Sequence, residues 1–146
     1  MKTDPYKSGM FKADPYYAKT PLQGSLVVVL NGDYPARGLK LISQPSRAIC
    51  RYQIHELIFT DQPAGPGDTV DPISYLGFME FIQGGVMVVG DRVLVNGLDV
   101  GTIAGFDETH MPNHLNIVIQ GERMSGAARG LKLGDQLEFV KNPSTT

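Results

Sequence analysis

Two carboxylates occupy positions where the surrounding strand pattern expects apolar side chains. Glu56 falls in the segment 50–60, on the face that alternation assigns to apolar residues. Those residues are Cys50, Tyr52, Ile54 and Ile58. Glu80 likewise lies between Phe78 and Ile82. Burial raises the pKa of an unpaired carboxyl group, which suits a general acid or base. We therefore predict Glu56 and Glu80 as catalytic residues, the alternative being side chains that reach solvent or pair with an arginine.

The densest polar cluster is the loop 107–114, which reads Asp-Glu-Thr-His-Met-Pro-Asn-His. His110 and His114 are spaced as two metal ligands on one helix face would be, but the proline between them disfavours a helix. The pair could still meet either carboxylate across a barrel mouth, as a metal site or as a metal-free acid–base site. An ordinary surface turn is the alternative. His114 is the better catalytic candidate, because it begins a strand and would be held rigidly.

Three polar residues near these candidates are predicted to bind the substrate. Arg51 would hold an anionic group, Tyr75 belongs to the same segment as Glu80, and Asn113 directly precedes His114. The cofactor stays open at this point: either none is required or one divalent metal is bound.

Two further reactive side chains, those of His55 and Cys50, are predicted to have structural roles. His55 shares the more polar face of its segment with Arg51, so we expect it to be solvated or at an interface. Cys50 is the only cysteine, which excludes an internal disulfide and a zinc–thiolate cluster. We expect it to be a small buried residue in a strand.

The elements that must position these side chains are strands. Short β-compatible segments alternate with glycine and proline turns, and no helix is predicted. Segment 73–82 carries cap-like residues at both ends, but its aromatic content favours a strand over a helix. The predicted strands are 26–30, 38–43, 48–60, 73–82, 86–89, 92–96, 100–106, 115–120 and 136–140. We predict an all-β fold, a small closed or partly open barrel of about seven to nine short strands.

The chain divides into three parts. Residues 1–22 contain a repeated Asp-Pro-Tyr unit and several aromatic side chains, which predict an extended N-terminal arm lying on the barrel or on a second subunit. Residues 23–141 form the barrel domain, and 142–146 form a C-terminal tail. We expect a homo-oligomer to which the arm contributes.

Composition narrows the class of partner. The net charge is −2 and the basic residues are scattered, so neither nucleic acid nor an anionic membrane is an expected partner. No apolar run is long enough to cross a bilayer and no secretory signal is visible. A soluble cytoplasmic protein that binds a small molecule is expected.

The second half of the chain resembles the glucitol/sorbitol-specific IIA component of the bacterial phosphotransferase system. The matching elements are Gly90-Asp91, Gly97, residues 100–105, residues 114–121 and residues 134–139. The resemblance implies a small β-barrel. It also implies a phosphorylated histidine in the preceding strand, yet the corresponding residues 74–81 contain no histidine. The resemblance therefore implies the same barrel without phosphorylation of a histidine in that strand.

Three functions follow as hypotheses. The first is an enzyme that acts on a polar metabolite by proton transfer, as a lyase, hydratase or isomerase. The second is a non-catalytic ligand-binding or regulatory module. The third is a phosphocarrier that uses His55, His110 or His114.

Overall fold

The computed structural model describes residues 19–142, and in that range the chain forms 12 strands and no helix. The strands are β1 Leu22–Val29, β2 Asp33–Tyr34, β3 Leu39–Lys40, β4 Ser46–Ile49, β5 Ile54–Thr60, β6 Thr69–Val70, β7 Ile73–Gln83, β8 Gly85–Val88, β9 Arg92–Val95, β10 Leu98–Asp107, β11 Asn116–Gln120 and β12 Gln136–Val140. The all-β prediction is confirmed. Most of the predicted arm, residues 1–18, and residues 143–146 of the predicted tail lie outside the described residues.

Seven strands close a ring in the order β1, β12, β9, β10, β11, β5, β7 and back to β1. Every neighbouring pair is antiparallel except β5 and β11, which are parallel. Strand β2 extends the sheet at one end of β7, and the pairs β3–β6 and β4–β8 form two small separate sheets. Within residues 19–142, no helix of the length and hydropathy needed to span a membrane is present.

Apolar side chains pack on both sides of part of the ring. The interior holds the larger cluster, which includes Phe59, Phe81, Phe106 and Phe139. A second cluster contains Ile58, Ile73, Ala104 and Val118 from the ring strands and Leu39, Leu41 and Val70 from the connecting segments. Six of the seven residues of β5 are therefore buried, because both faces of this strand are covered.

The predicted single strand 48–60 is wrong, because a turn divides it into β4 and β5. Tyr52 adopts a φ of 73° in this turn, which no strand accommodates. The apolar face assigned to this segment is consequently broken: Tyr52 and Ile54 are exposed. Cys50 is exposed and lies outside any strand, which corrects its prediction as a buried strand residue.

Segment 73–82 is the strand β7, as the sequence favoured. Its two ends pair with different partners on one side, β2 at Ile73–Ser74 and β1 from Gly77 onward.

The strands β9 and β12 each follow a Gly-Asp turn, in which the Asp91 or Asp135 carboxylate accepts a hydrogen bond from the backbone N–H three residues earlier. Gly90 and Gly134 have positive φ values of 94° and 88°, which explains the glycine in both turns.

Candidate functional site

A row of four side chains crosses four adjacent barrel strands. Phe78 of β7 is in register with Glu56 of β5, Glu56 with Asn116 of β11, and Asn116 with Asp107 of β10. Residues in register share a face of the sheet, and this row lies on the outer face, opposite the barrel core. Although the face is external, Glu56 is only 7% exposed and Asn116 and Asp107 are buried as well.

The loop that joins β10 to β11 covers this row. Its residues 108–113 are exposed, whereas the side chain of His114, the next residue, is 13% exposed. The His114 ring packs edge-on against Phe78 with a centroid distance of 5.0 Å, and the His110 ring lies 5.0 Å from the His114 ring. The loop thus brings an imidazole over the buried carboxylate.

Glu56 and His114 form the central pair, with Glu56 Oε1 3.4 Å from His114 Nε2. Asn113 Nδ2 donates a hydrogen bond of 3.0 Å to His114 Nδ1. Because Nδ1 is then the acceptor, the proton of the neutral ring is on Nε2, which faces the carboxylate. Asn113 is therefore a positioning residue that selects the tautomer of His114.

Burial moves the two pKa values toward each other. The pKa of Glu56 is raised, first by loss of solvation, while His110 and Arg37 act in the opposite direction. The pKa of His114 is lowered by burial. A carboxylate with a raised pKa is a stronger base than an exposed one, and a histidine with a lowered pKa stays a neutral N–H donor at neutral pH.

Asp107 holds the far end of the row and the start of the loop. Its Oδ1 accepts hydrogen bonds of 3.0 Å from Asn116 Nδ2 and from the Thr109 backbone, and its Oδ2 accepts one from the backbone N–H of Lys40. These bonds fix the orientation of the Asn116 amide. Asn116 Oδ1 is left buried with no hydrogen-bond partner in residues 19–142.

Arg37 and Tyr75 border the row on its other side. Tyr75 of β7 is in register with Ile58, two residues beyond Glu56, so its ring belongs to the same outer face. Arg37 Nε donates a hydrogen bond of 3.2 Å to the Tyr75 hydroxyl, and this bond is the main reason that the pKa of Arg37 is raised. Sequence reasoning missed Arg37, because it lies in the short segment between β2 and β3, where no periodic pattern marks it.

His55 is buried, at 6% exposure, which corrects its prediction as a solvated residue. Its Nδ1 accepts a hydrogen bond of 2.9 Å from the Leu115 backbone, and its Nε2 lies 3.1 Å from Gln53 Oε1. Burial, together with the charges of Arg47 and His114, lowers the pKa of His55 to about 4. His55 is thus a neutral structural residue whose two ring nitrogens are both satisfied.

The other predicted site residues, Glu80 and Arg51, form no hydrogen bond or ion pair with Glu56 or His114 within residues 19–142. Glu80 is on the same face of β7 as Phe78 and is in register with Ile54, two residues before Glu56, and with Ser25. Arg51 lies in the exposed turn before β5, with its guanidinium carbon 4.7 Å from the centroid of the Tyr52 ring. Within residues 19–142, no three His, Cys, Asp or Glu side chains are grouped as metal ligands, so the predicted pair His110 and His114 finds no third ligand there.

The loop between β10 and β11 also contacts one side chain of β4. Arg47 of β4 forms an ion pair with Glu108, and its Nη2 lies 3.9 Å from the Met111 sulfur. Next to this point, a groove of about 420 Å³ runs between residues 40–43 and residues 107–109. The loop therefore borders open space at residues 108 and 109.

Comparison with known proteins gives one assignment. The chain matches no curated protein and no solved structure. Residues 16–140 match the model of a family described as a family of unknown function, DUF6917. This match spans most of the chain, including every residue of the row and of the loop above it. The chain belongs to the DUF6917 family of unknown function.

Proposed function

We propose that this protein is a small enzyme that catalyses proton transfer on a polar metabolite, as an isomerase, lyase or hydratase. Glu56 is the general base and His114 the hydrogen-bond donor. The observation that carries the proposal is the 3.4 Å approach of Glu56 Oε1 to His114 Nε2 in a site where the carboxylate is buried. A carboxylate and a neutral imidazole N–H side by side are the two groups that enolisation requires.

The first step removes a proton from a carbon next to a carbonyl group. The C–H proton moves to the Glu56 carboxylate, and the electron pair of that bond forms a C=C bond as the carbonyl becomes an enolate. His114 Nε2–H donates a hydrogen bond to the enolate oxygen. In an α-hydroxy carbonyl compound, the Glu56 carboxyl group returns the proton to the former carbonyl carbon while the hydroxyl proton moves from one oxygen to the other, which completes an isomerisation. In a β-hydroxy carbonyl compound, the Glu56 carboxyl group protonates the β-hydroxyl, which leaves as water as the carbonyl re-forms and a C=C bond is made, which completes a dehydration.

Substrate entry requires movement of the loop 108–113. His114 Nε2 and Asn116 Oδ1 are both shielded from solvent, so a ligand reaches them only when this loop moves outward. The exposed Arg47–Glu108 ion pair is a weak fastening, since exposed pairs contribute about 0–1 kcal/mol. Closure after binding would exclude water from the base and strengthen the hydrogen bond to the enolate.

Exchange of carbon-bound hydrogen with solvent tests the proposal directly. A panel of small hydroxy aldehydes, hydroxy ketones and their acids is incubated with the protein in D₂O, and loss of individual C–H signals is followed by proton NMR. We expect exchange next to a carbonyl with wild type and none with Glu56→Gln. The matched control is Glu122→Gln, since Glu122 is exposed and distant from the row.

Two outcomes would contradict the proposal. Exchange that persists in Glu56→Gln would remove Glu56 as the base. Binding of a panel member at this site without any exchange would make the protein a ligand-binding module, the second of the three hypotheses. The phosphocarrier hypothesis is tested separately, by incubation with a phosphohistidine donor protein and detection of phosphate on His55, His110 or His114.

A further inference from the structure

Four polar groups around the Glu56–His114 pair lack a good partner in residues 19–142. Two are donors: His114 Nε2–H has no hydrogen bond, and the Arg37 guanidinium, beyond its Nε bond to Tyr75, enters no ion pair. Two are acceptors. Asn116 Oδ1 is buried without a donor, and the Glu56 carboxylate has, within residues 19–142, only His114 as an ionisable partner closer than 4 Å. Two of the four, His114 Nε2 and Asn116 Oδ1, are buried without a hydrogen-bond partner among the described residues. Buried polar groups without partners are uncommon, and a functional site is one of the accepted reasons for them.

The unused groups lie on one face and within reach of one small molecule. Glu56 and Asn116 are in register on β5 and β11. Tyr75, which holds Arg37, is in register with the residue two positions beyond Glu56, a displacement of about 7 Å along the strand. A chain of a few carbon atoms spans this distance.

We propose that the substrate is a small hydroxy acid of the sugar-acid class that also carries an aldehyde or ketone group. Its carboxylate binds the Nη groups of Arg37, its carbonyl oxygen lies at His114 Nε2–H, and one of its hydroxyl groups donates to Asn116 Oδ1. The inference rests on the proposed proton-transfer function, since it assigns a substrate class to the same acid–base pair.

The chemistry of each group matches this assignment. A guanidinium offers parallel N–H donors that a carboxylate accepts in pairs, and its bond to Tyr75 orients the free Nη edge. Asn116 Nδ2 is occupied by Asp107, so the amide presents an acceptor only and selects a hydroxyl rather than a carbonyl. The site thus distinguishes the two ends of the substrate by charge.

Arg37 replaces the arginine that the sequence suggested for an anionic group. Arg51 is exposed in a turn and stacks on Tyr52, whereas Arg37 is half-buried beside the row. Both carboxylates of the row, Asp107 and Glu56, act electrostatically on Arg37, which places its charge close to the base.

Binding of matched probes tests the substrate class without any assay of activity. D-Gluconate and D-glucitol have the same carbon chain and differ at C1, where one has a carboxylate and the other a hydroxymethyl group; hexanoate has the carboxylate without hydroxyl groups. Titrations followed by ¹H–¹⁵N correlation spectra should show gluconate shifting the Asn116 side-chain amide and binding about tenfold more tightly than either other probe.

Variants at Arg37 then locate the carboxylate. We expect Arg37→Gln to weaken gluconate binding at least about tenfold and to abolish the preference over glucitol, with Arg37→Lys intermediate because it retains charge without the paired donors. Arg123→Gln is the matched control, since Arg123 is 3.8 Å from Asp61 and distant from the row. Melting curves verify that each variant is folded.

The outcomes separate this inference from the proposed function. Equal binding of gluconate and glucitol, or gluconate binding unchanged in Arg37→Gln, overturns the substrate class even where Glu56-dependent exchange of other compounds is observed. Arg37-dependent gluconate binding in a protein that exchanges no C–H proton supports the ligand class and overturns the proton-transfer function.

Discussion

His55 Nδ1 accepts a 2.9 Å hydrogen bond from the backbone N–H of Leu115. This bond joins the strand that carries Glu56 to the end of the loop that carries His114, since each catalytic candidate is the immediate sequence neighbour of one partner. The distance between base and donor therefore depends on a neutral His55, because a protonated Nδ1 cannot accept this bond.

The first prediction concerns acid stability. The folded-state pKa of His55 is lowered from 6.5 to about 4, so unfolding takes up a proton at any pH between these values. His55 contributes its full stabilisation above pH 6.5 and loses it as the pH falls toward 4. Between pH 6.5 and 5 we expect wild type to lose about 2 kcal/mol more of its free energy of unfolding than His55→Gln.

Urea unfolding at the two pH values measures this difference, with His110→Gln as the control because His110 is exposed. Equal pH dependence in wild type and His55→Gln would show that His55 is protonated in the folded protein.

The second prediction concerns Glu56. Its folded-state pKa is raised above the ordinary glutamate value of 4.5, so folding favours the protonated form, and stability falls as the pH rises through the folded-state pKa. Glu56→Gln removes this penalty. The free energy of unfolding of Glu56→Gln minus that of wild type should therefore be larger at pH 8 than at pH 5. Denaturant unfolding measures both, with Glu122→Gln as the reference. A stability difference that does not change with pH would contradict a raised pKa.

The third prediction concerns closure of the barrel between β1 and β7. A Cβ atom on Gly24 would lie 2.1 Å from the backbone oxygen of Glu80, whereas a Cβ on Gly65 would meet nothing within 4 Å. We expect Gly24→Ala to lower the free energy of unfolding by about 3 kcal/mol or more and Gly65→Ala to change it by less than about 1 kcal/mol. Thermal and urea unfolding measure both, and equal effects would argue against this close strand approach.

The fourth prediction concerns opening of the loop. Arg47→Gln removes the ion pair with Glu108 and the contact with Met111. We expect amide hydrogen exchange in residues 108–114 to rise about two- to fivefold, the effect of losing an exposed ion pair. Arg92→Gln removes the exposed pair with Asp99 and should leave exchange in this loop unchanged. Faster exchange throughout the barrel in Arg47→Gln would indicate general destabilisation instead.

The fifth prediction concerns self-association, which stays a prediction from the sequence. Val28 and Ile54 are exposed at 40% and 43% on the outer faces of β1 and β5, which flank β7. If copies of the chain meet on this face, Val28→Lys with Ile54→Lys should convert the oligomer to a monomer in light scattering. Leu98→Lys is the control at a distant exposed site. A wild-type monomer would refute the predicted oligomer.

Local features of the fold could be predicted from the residues that form them. The Gly-Asp turns before β9 and β12, the strand β7 and the all-β class follow from turn chemistry and from the spacing of apolar residues, which act over a few residues. Glu56 is buried, as its apolar pattern predicted, although of the four apolar residues in that pattern only Ile58 is buried. The resemblance to the glucitol-specific IIA component concerns the same local features and stays a prediction.

The residues that meet at the site could not be predicted, because their contacts are long-range. Parallel pairing of β5 with β11 sets Asn116 beside Glu56, and no pattern within either segment encodes that register. Both faces of β5 are covered, the outer one by the second apolar cluster and the inner one, which carries His55 beside Phe81, by the interior cluster. Alternation therefore could not separate a buried from an exposed face of this strand. Arg37 joins the site through one hydrogen bond to Tyr75 on a distant strand. Contacts between remote segments depend on the closed ring, and the periodicity of a short strand carries no information about them.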